Sequence, residues 1–191
     1  MFREVQKSSK SRDSTGFNVL ESALHYFDTQ GEDPCPYPDR ESAASFTFVA
    51  GLWGDEPVED NIERHEREFT AYQQEYFSAT RNNADTEDRS LKRLKRSRHA
   101  EDFILDASIA CGSRKFFITS NGYYGLAPMI VQQGDMCCVL IGARVPFILR
   151  PTETPSHYQV VGECYVHGIM RGEVVQWWKE GKFKMEEISL V

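Results

Sequence analysis

Within "VGECYVHGIM", Val161 to Met170, a carboxylate, a thiol, a phenol and an imidazole fall inside five residues: Glu163, Cys164, Tyr165 and His167, with a further carboxylate at Glu173. A thiol three residues before an imidazole raises nucleophilic catalysis, which needs nucleophile and base within about 3 Å. The surrounding residues read as a strand, and on a strand residues three apart point to opposite faces. Glu163, Tyr165 and His167 do share a face, but at ~3.3 Å per residue the outer two stand about 13 Å apart. No catalytic residue is therefore assigned. Glu163, Tyr165, His167 and Glu173 are read as recognition residues, and the chain as a binding protein rather than an enzyme.

Metal and cofactor chemistry find little support in the spacing. His25, His65, His99, His157 and His167 never pair at i, i+4, and no cysteine lies beside one to complete a local site. No metal site and no cofactor are expected. Cys137 and Cys138, inside "DMCCVLIG", take opposite faces of an apolar strand and read as small core fillers. Five cysteines without CxxC argue against a disulfide framework and for a reducing compartment, the cytoplasm or the nucleus. Neither GxxxxGK[ST] nor GxGxxG occurs, so no phosphate loop is signalled. Asp135, after Gly134, is expected to be a turn residue that bonds its own backbone and tolerates replacement by Asn.

The net charge of −7 hides a basic run, "RSLKRLKRSR" from Arg89 to Arg98. Lys92, Arg93, Lys95, Arg96 and Arg98 form a candidate patch for nuclear import or an anionic partner. The plainer alternative is a solvated helix face opposite the acidic stretch 55–68. Nucleic acid is not the expected partner of an acidic chain. No run of 18 apolar residues exists, so no membrane contact is expected, and the N-terminus has no secretory signal.

These residues must be positioned by two kinds of element. "GFNVLESALHYF" (Gly16 to Phe27) has helical periodicity, and "QGEDPCPYPDRES" reads as a loop. A second helix falls within 55–79, with Val58, Ile62, His65, Phe69, Tyr72 and Tyr76 on one seam, and a third spans about Ser90 to Ala110. At Arg114 the period changes to that of strands. "RKFFITSNGYYGLAP" gives two β runs around Asn121-Gly122, the pair suited to a two-residue hairpin turn. Strands then follow at 136–141, before Pro151, and through "HYQVVGECYVHGIM" with a bend at Gly162. The fold class is α+β: a helical N-terminal half followed by a small curved antiparallel β-sheet or half-barrel. Three parts are expected: 1–44, a flexible arm with a short helix and a Pro-rich loop; 45–110, helical; 111–191, a β domain.

The β region also resembles a known family. "RKFFITSNGYYGLAP", "QQGDMCCVLIGARVPFILRP" and "YQVVGECYVHGIMRGE" occur in order over about 60 residues, similar to the C-terminal region of fungal heterokaryon-incompatibility (HET-domain) proteins. "SFTFVAGLWGD" and the helix after it are similar to the helical stretch preceding that region. The family's N-terminal HET domain is not found in these 191 residues, so the resemblance implies the C-terminal part alone, as in a truncated paralogue. One departure is Arg171, where the family often has an acid. The resemblance implies a non-enzymatic regulatory or recognition module of self/non-self recognition and cell-death signalling, with protein partners that include a separate HET-domain protein. The alternatives are an accessory protein or enzyme of fungal secondary metabolism binding a small molecule around Glu163, Tyr165 and His167, and a nuclear factor using the basic helix 89–98.

Overall fold

The computed structural model describes residues 2–8, 35–54, 56–82 and 97–191. Its helical layer begins where the Pro-rich loop ends. Asp39 caps helix α1 (Arg40–Phe48), its carboxylate accepting the N–H groups of Glu41 at 3.0 Å and Ser42 at 3.3 Å, which satisfies donors that a helix start leaves orphaned. A two-stranded ribbon of β2 (Leu52–Trp53) and β3 (Glu56–Pro57) leads through a 3-10 turn into helix α2 (Ile62–Asn82). Helix α3 (Arg98–Cys111) is capped by Ser97 and buries Ala100, Phe103, Ala107 and Cys111, a helical stripe. The seam expected on α2 is found in Val58, His65, Phe69 and Tyr72, whereas Ile62 turns outward. The helix expected at 16–27 and the first residues of the third lie outside the described residues.

Two faces of one hairpin divide the core. Phe116 and Ile118 of β4 (Arg114–Thr119), with Tyr124 and Leu126 of β5 (Tyr124–Pro128), pack against α1, α2 and α3. Phe117 and Ala127, on the other face, join Val131, Cys137, Ile148, Cys164 and Val166 in a second cluster inside the sheet. This is the period-2 alternation of a sheet buried on both sides. The hairpin loop is three residues long, not two. Gly122 N–H donates to Thr119 O at 2.8 Å and Thr119 N–H to Tyr123 O at 2.9 Å, with Gly122 at φ 82°. That is the longer hairpin loop with glycine at its left-handed position.

The eight-stranded sheet runs β10-β8-β7-β6-β1-β4-β5-β9, with β1 (Phe2–Ser8), β6 (Met136–Cys138), β7 (Phe147–Pro151), β8 (His157–Glu163), β9 (Tyr165–Val166) and β10 (Ser189–Leu190). All pairs are antiparallel except β10 on β8. The ladder is open, but it is sharply curved at two corners. One corner is β1 (Phe2–Ser8): Phe2 to Glu4 pair with β6, and Val5 to Ser8 pair with β4, with a register shift between Val5 and Lys7. The other is the segment 157–166, whose β8 pairs with β7 and whose β9 pairs with β5. Strands that switch layers through bulges or bends make such corners. The expected bend is at Gly162, where φ is 150° and a Cβ would come within 2.8 Å of Pro128 Cγ. The curved sheet behind helices is the α+β class read from the sequence. Residues 2–8, however, are a sheet strand and not part of a flexible arm.

His65 sits at the centre of the helical layer, 1 % exposed. Its Nε2 lies 3.0 Å from Ser45 Oγ, and the rings of Phe46 and Phe103 flank it. Burial lowers its pKa to about 4, since the charged imidazolium loses its water. The unfolded chain, with an ordinary His pKa near 6.5, binds a proton that the folded chain refuses between those values. Stability from this group is therefore complete above about pH 6.5 and falls as pH drops toward 4, by roughly 3 kcal/mol. Urea denaturation of wild type and His65→Gln from pH 4 to 7.5 tests this; the variant should show the flatter profile, and equal slopes would refute the assignment.

Candidate functional site

The corner at 157–166 separates the groups that the sequence places side by side. Cys164 points into the sheet, with its Sγ 3.9 Å from Cys137 Sγ. Burial, reinforced by Cys137, pushes its thiol well above the ordinary range, as expected of an inert interior thiol. Tyr165 and His167 turn the other way: Tyr165 Oη lies 3.2 Å from His167 Nδ1. The thiol and the imidazole three residues on are thus on opposite sides of the strand.

His167 is held from both sides of its backbone. The hydroxyl of Tyr37 donates to His167 O at 2.9 Å and accepts Tyr124 N–H at 3.0 Å, and His167 N–H donates to Tyr124 O at 3.0 Å. The rings of Tyr37 and Phe46 pack at 5.2 and 5.3 Å from the imidazole. Burial lowers its pKa, against the opposing charges of Glu59 and Glu173. Glu173 accepts Arg171 N–H at 2.7 Å at the entry to helix α4 (Glu173–Lys179), and the Arg171 guanidinium pairs with Glu59 at 2.8 Å. Arg171 so ties the β region to the helical layer. Tyr37 carried no sequence signal because its partners lie far away in the chain.

Glu163 and Tyr165 face a different feature, a cavity of about 330 Å³ between the helical layer and the sheet. Val49, Leu52, Ile109, Val145 and Met170 give it apolar walls, while Asp106, Arg114, Glu163 and Tyr165 supply polar groups. His167 and Glu173 do not line it. Half-buried Arg114 makes one long hydrogen bond, Nη1 to Glu163 O at 3.5 Å, and no carboxylate of the described residues pairs with it. Asp106 has its pKa raised by burial and by the charges of Glu68 and Asp102, although Gly54 N–H and Arg64 act the other way. Sequence reasoning missed Asp106 and gave Arg114 no role, because strand and helix converge here from separate elements.

Glu68, His99 and Asp102 bring ligand-type atoms within 4.8 Å of one another across α2 and α3, another grouping that i, i+4 spacing could not show. Arg64 already supplies positive charge there, 2.7 Å from Glu68 and 4.0 Å from Asp102. Of the basic patch, Lys92, Arg93, Lys95 and Arg96 lie outside the described residues, and Arg98 opens α3 on its exposed side. No helix among the described residues is long and apolar enough to cross a membrane.

The Het-6 beta-barrel domain family matches residues 55–185, which takes in α2, α3 and the strands from β4 to β9. The chain belongs to the Het-6 beta-barrel domain family. Heterokaryon incompatibility protein 6, OR allele, of Neurospora crassa is 38% identical to this HET-related chain over 60 residues, which is 30% of the chain and 9% of that protein. No solved structure matches. The sheet corner at 157–166 falls inside the span matched by the Het-6 domain, as does the cavity lining from Asp106 onward, whereas Val49, Ala50, Leu52 and Gly54 of the cavity precede it.

Proposed function

We propose that this Het-6 domain protein is a non-enzymatic recognition module of heterokaryon incompatibility, acting in self/non-self discrimination and cell-death signalling through a protein partner. The observation that carries the reading is the rim of the cavity. Ile109 and Leu52, which line it, are 72% and 46% exposed, and Leu105, one turn before Ile109 on α3, is 60% exposed. Apolar side chains gathered around a concavity mark contact surfaces on otherwise polar proteins. Family membership supplies the biological setting. A HET-domain protein is the expected partner, in the cytoplasm, with Tyr165 and Glu163 at the floor of the contact.

Co-purification of the chain with HET-domain proteins co-expressed in a fungal host tests this. Leu105→Lys with Ile109→Lys should leave the melting temperature unchanged, because exposed substitutions of this kind shift stability within about 0.5 kcal/mol. The double variant should lose capture at least about tenfold and fail to trigger growth arrest in an incompatible strain. Wild-type capture and arrest by the double variant would remove the surface from the proposal.

A further inference from the structure

We propose that the cavity between α3 and the corner at 157–166 binds a small amphipathic acid, an apolar body carrying one carboxylate, which the Arg114 guanidinium receives. Size sets the first limit: about 330 Å³ holds about eleven non-hydrogen atoms at the ~30 Å³ that a water molecule takes up in the liquid. The walls set the second. Val49, Leu52, Ile109, Val145 and Met170 offer hydrocarbon to an apolar body, and Leu52 and Ile109 remain exposed at the mouth.

The charge sets the third. A guanidinium presents five N–H donors in a planar fork matched to a carboxylate. Arg114 uses that fork for one contact of 3.5 Å to a backbone carbonyl. Glu163 and Asp106 line the same cavity, but no carboxylate of the described residues pairs with Arg114, and a cation beside apolar walls attracts an anion more strongly than the same cation in open water. A free acid and the C-terminal residue of a peptide share this chemistry, and the probes must separate them.

The experiment is calorimetric titration of the full chain with octanoate, octanol, octylammonium and N-acetylleucine, for wild type, Arg114→Met and Ile109→Glu. Octanoate should bind saturably, at least about tenfold tighter than octanol or octylammonium, as one charge-assisted hydrogen bond requires. Arg114→Met should bring octanoate down to the level of octanol. Ile109→Glu, a change at an exposed site, should weaken octanoate several-fold, keep the wild-type melt, and leave octanol less affected. That second variant decides the matter if Arg114→Met fails to fold. N-acetylleucine binding more weakly than octanoate supports a free acid; tighter binding would assign the site to a peptide terminus and overturn the proposal. Equal binding of octanoate and octanol, or no saturation with octanoate into the low millimolar range, would also overturn it.

Discussion

Arg150→Met is expected to destabilise the protein by about 3–5 kcal/mol, and Asp135→Asn by distinctly less, about 2 kcal/mol. Arg150 reaches Asp135 with two parallel bonds, Nε to Oδ1 at 2.8 Å and Nη2 to Oδ2 at 2.9 Å, and its Nη2 also donates to Ile130 O. Asp135 is 1% exposed and Arg150 is 30% exposed. The asymmetry follows: removing Arg150 leaves a carboxylate buried without its counter-charge, whereas removing the acid leaves a cation that water can still reach. Asparagine also keeps an oxygen for Gln132 N–H, which now donates to Oδ2 at 2.9 Å. The loss is large against a total stability of about 5–15 kcal/mol. Urea denaturation of both single variants and the double variant is the measurement. The double variant should cost less than the sum of the singles, because each single already loses the shared pair. Equal single costs, or strict additivity, would show that the pair is not coupled.

The same residue shows what could be read from the sequence. A short acid after glycine and before an apolar run does bond its own backbone, as the Gln132 contact confirms. Its dominant partner sits 15 residues on, across the β6–β7 pair, and no local pattern announces a cross-strand ion pair. The tolerance to Asn expected from the turn alone is thus revised downward. Periodicity served better where burial is one-sided or two-sided in a regular way. It gave the seam of α2, the period change at Arg114 and the bend at Gly162. It said nothing of the outer face of α3, where Leu105 and Ile109 are exposed and Ile109 lines the cavity. The site was half legible for a similar reason. Strand alternation put Glu163, Tyr165 and His167 on one face, and Tyr165 does meet His167. The corner then divides the face, sending Glu163 and Tyr165 to the cavity while His167 packs behind Tyr165 against Tyr37 and Phe46. Tyr37 and Arg114 come from elements whose approach only the tertiary fold determines.

Deleting residues 1–8 is expected to abolish cooperative folding. "FREVQKS" has too few apolar residues to stand out as a strand, yet β1 lies in the middle of the eight-stranded order. Its first half pairs Phe2, Arg3 and Glu4 with Cys138, Cys137 and Met136; its second pairs Val5, Lys7 and Ser8 with Thr119, Ile118 and Phe117. Without it the sheet divides into β10-β8-β7-β6 and β4-β5-β9, joined at the remaining corner. Unpaired N–H and C=O groups would then line β4 and β6, each a costly loss if buried and a template for aggregation if exposed. Circular dichroism melts and sizing of the truncated chain test this: the full chain should unfold in one transition, and the truncated chain should be unfolded or aggregated. Hydrogen exchange gives an independent reading, since paired amides of residues 2–8 should open only with the rest of the sheet. A synthetic peptide of residues 1–10 should restore the melt when added to the truncated chain, as strand addition to a sheet edge allows. A truncated chain that melts like the full one, with residues 2–8 exchanging at once in the full chain, would return them to the status of an arm.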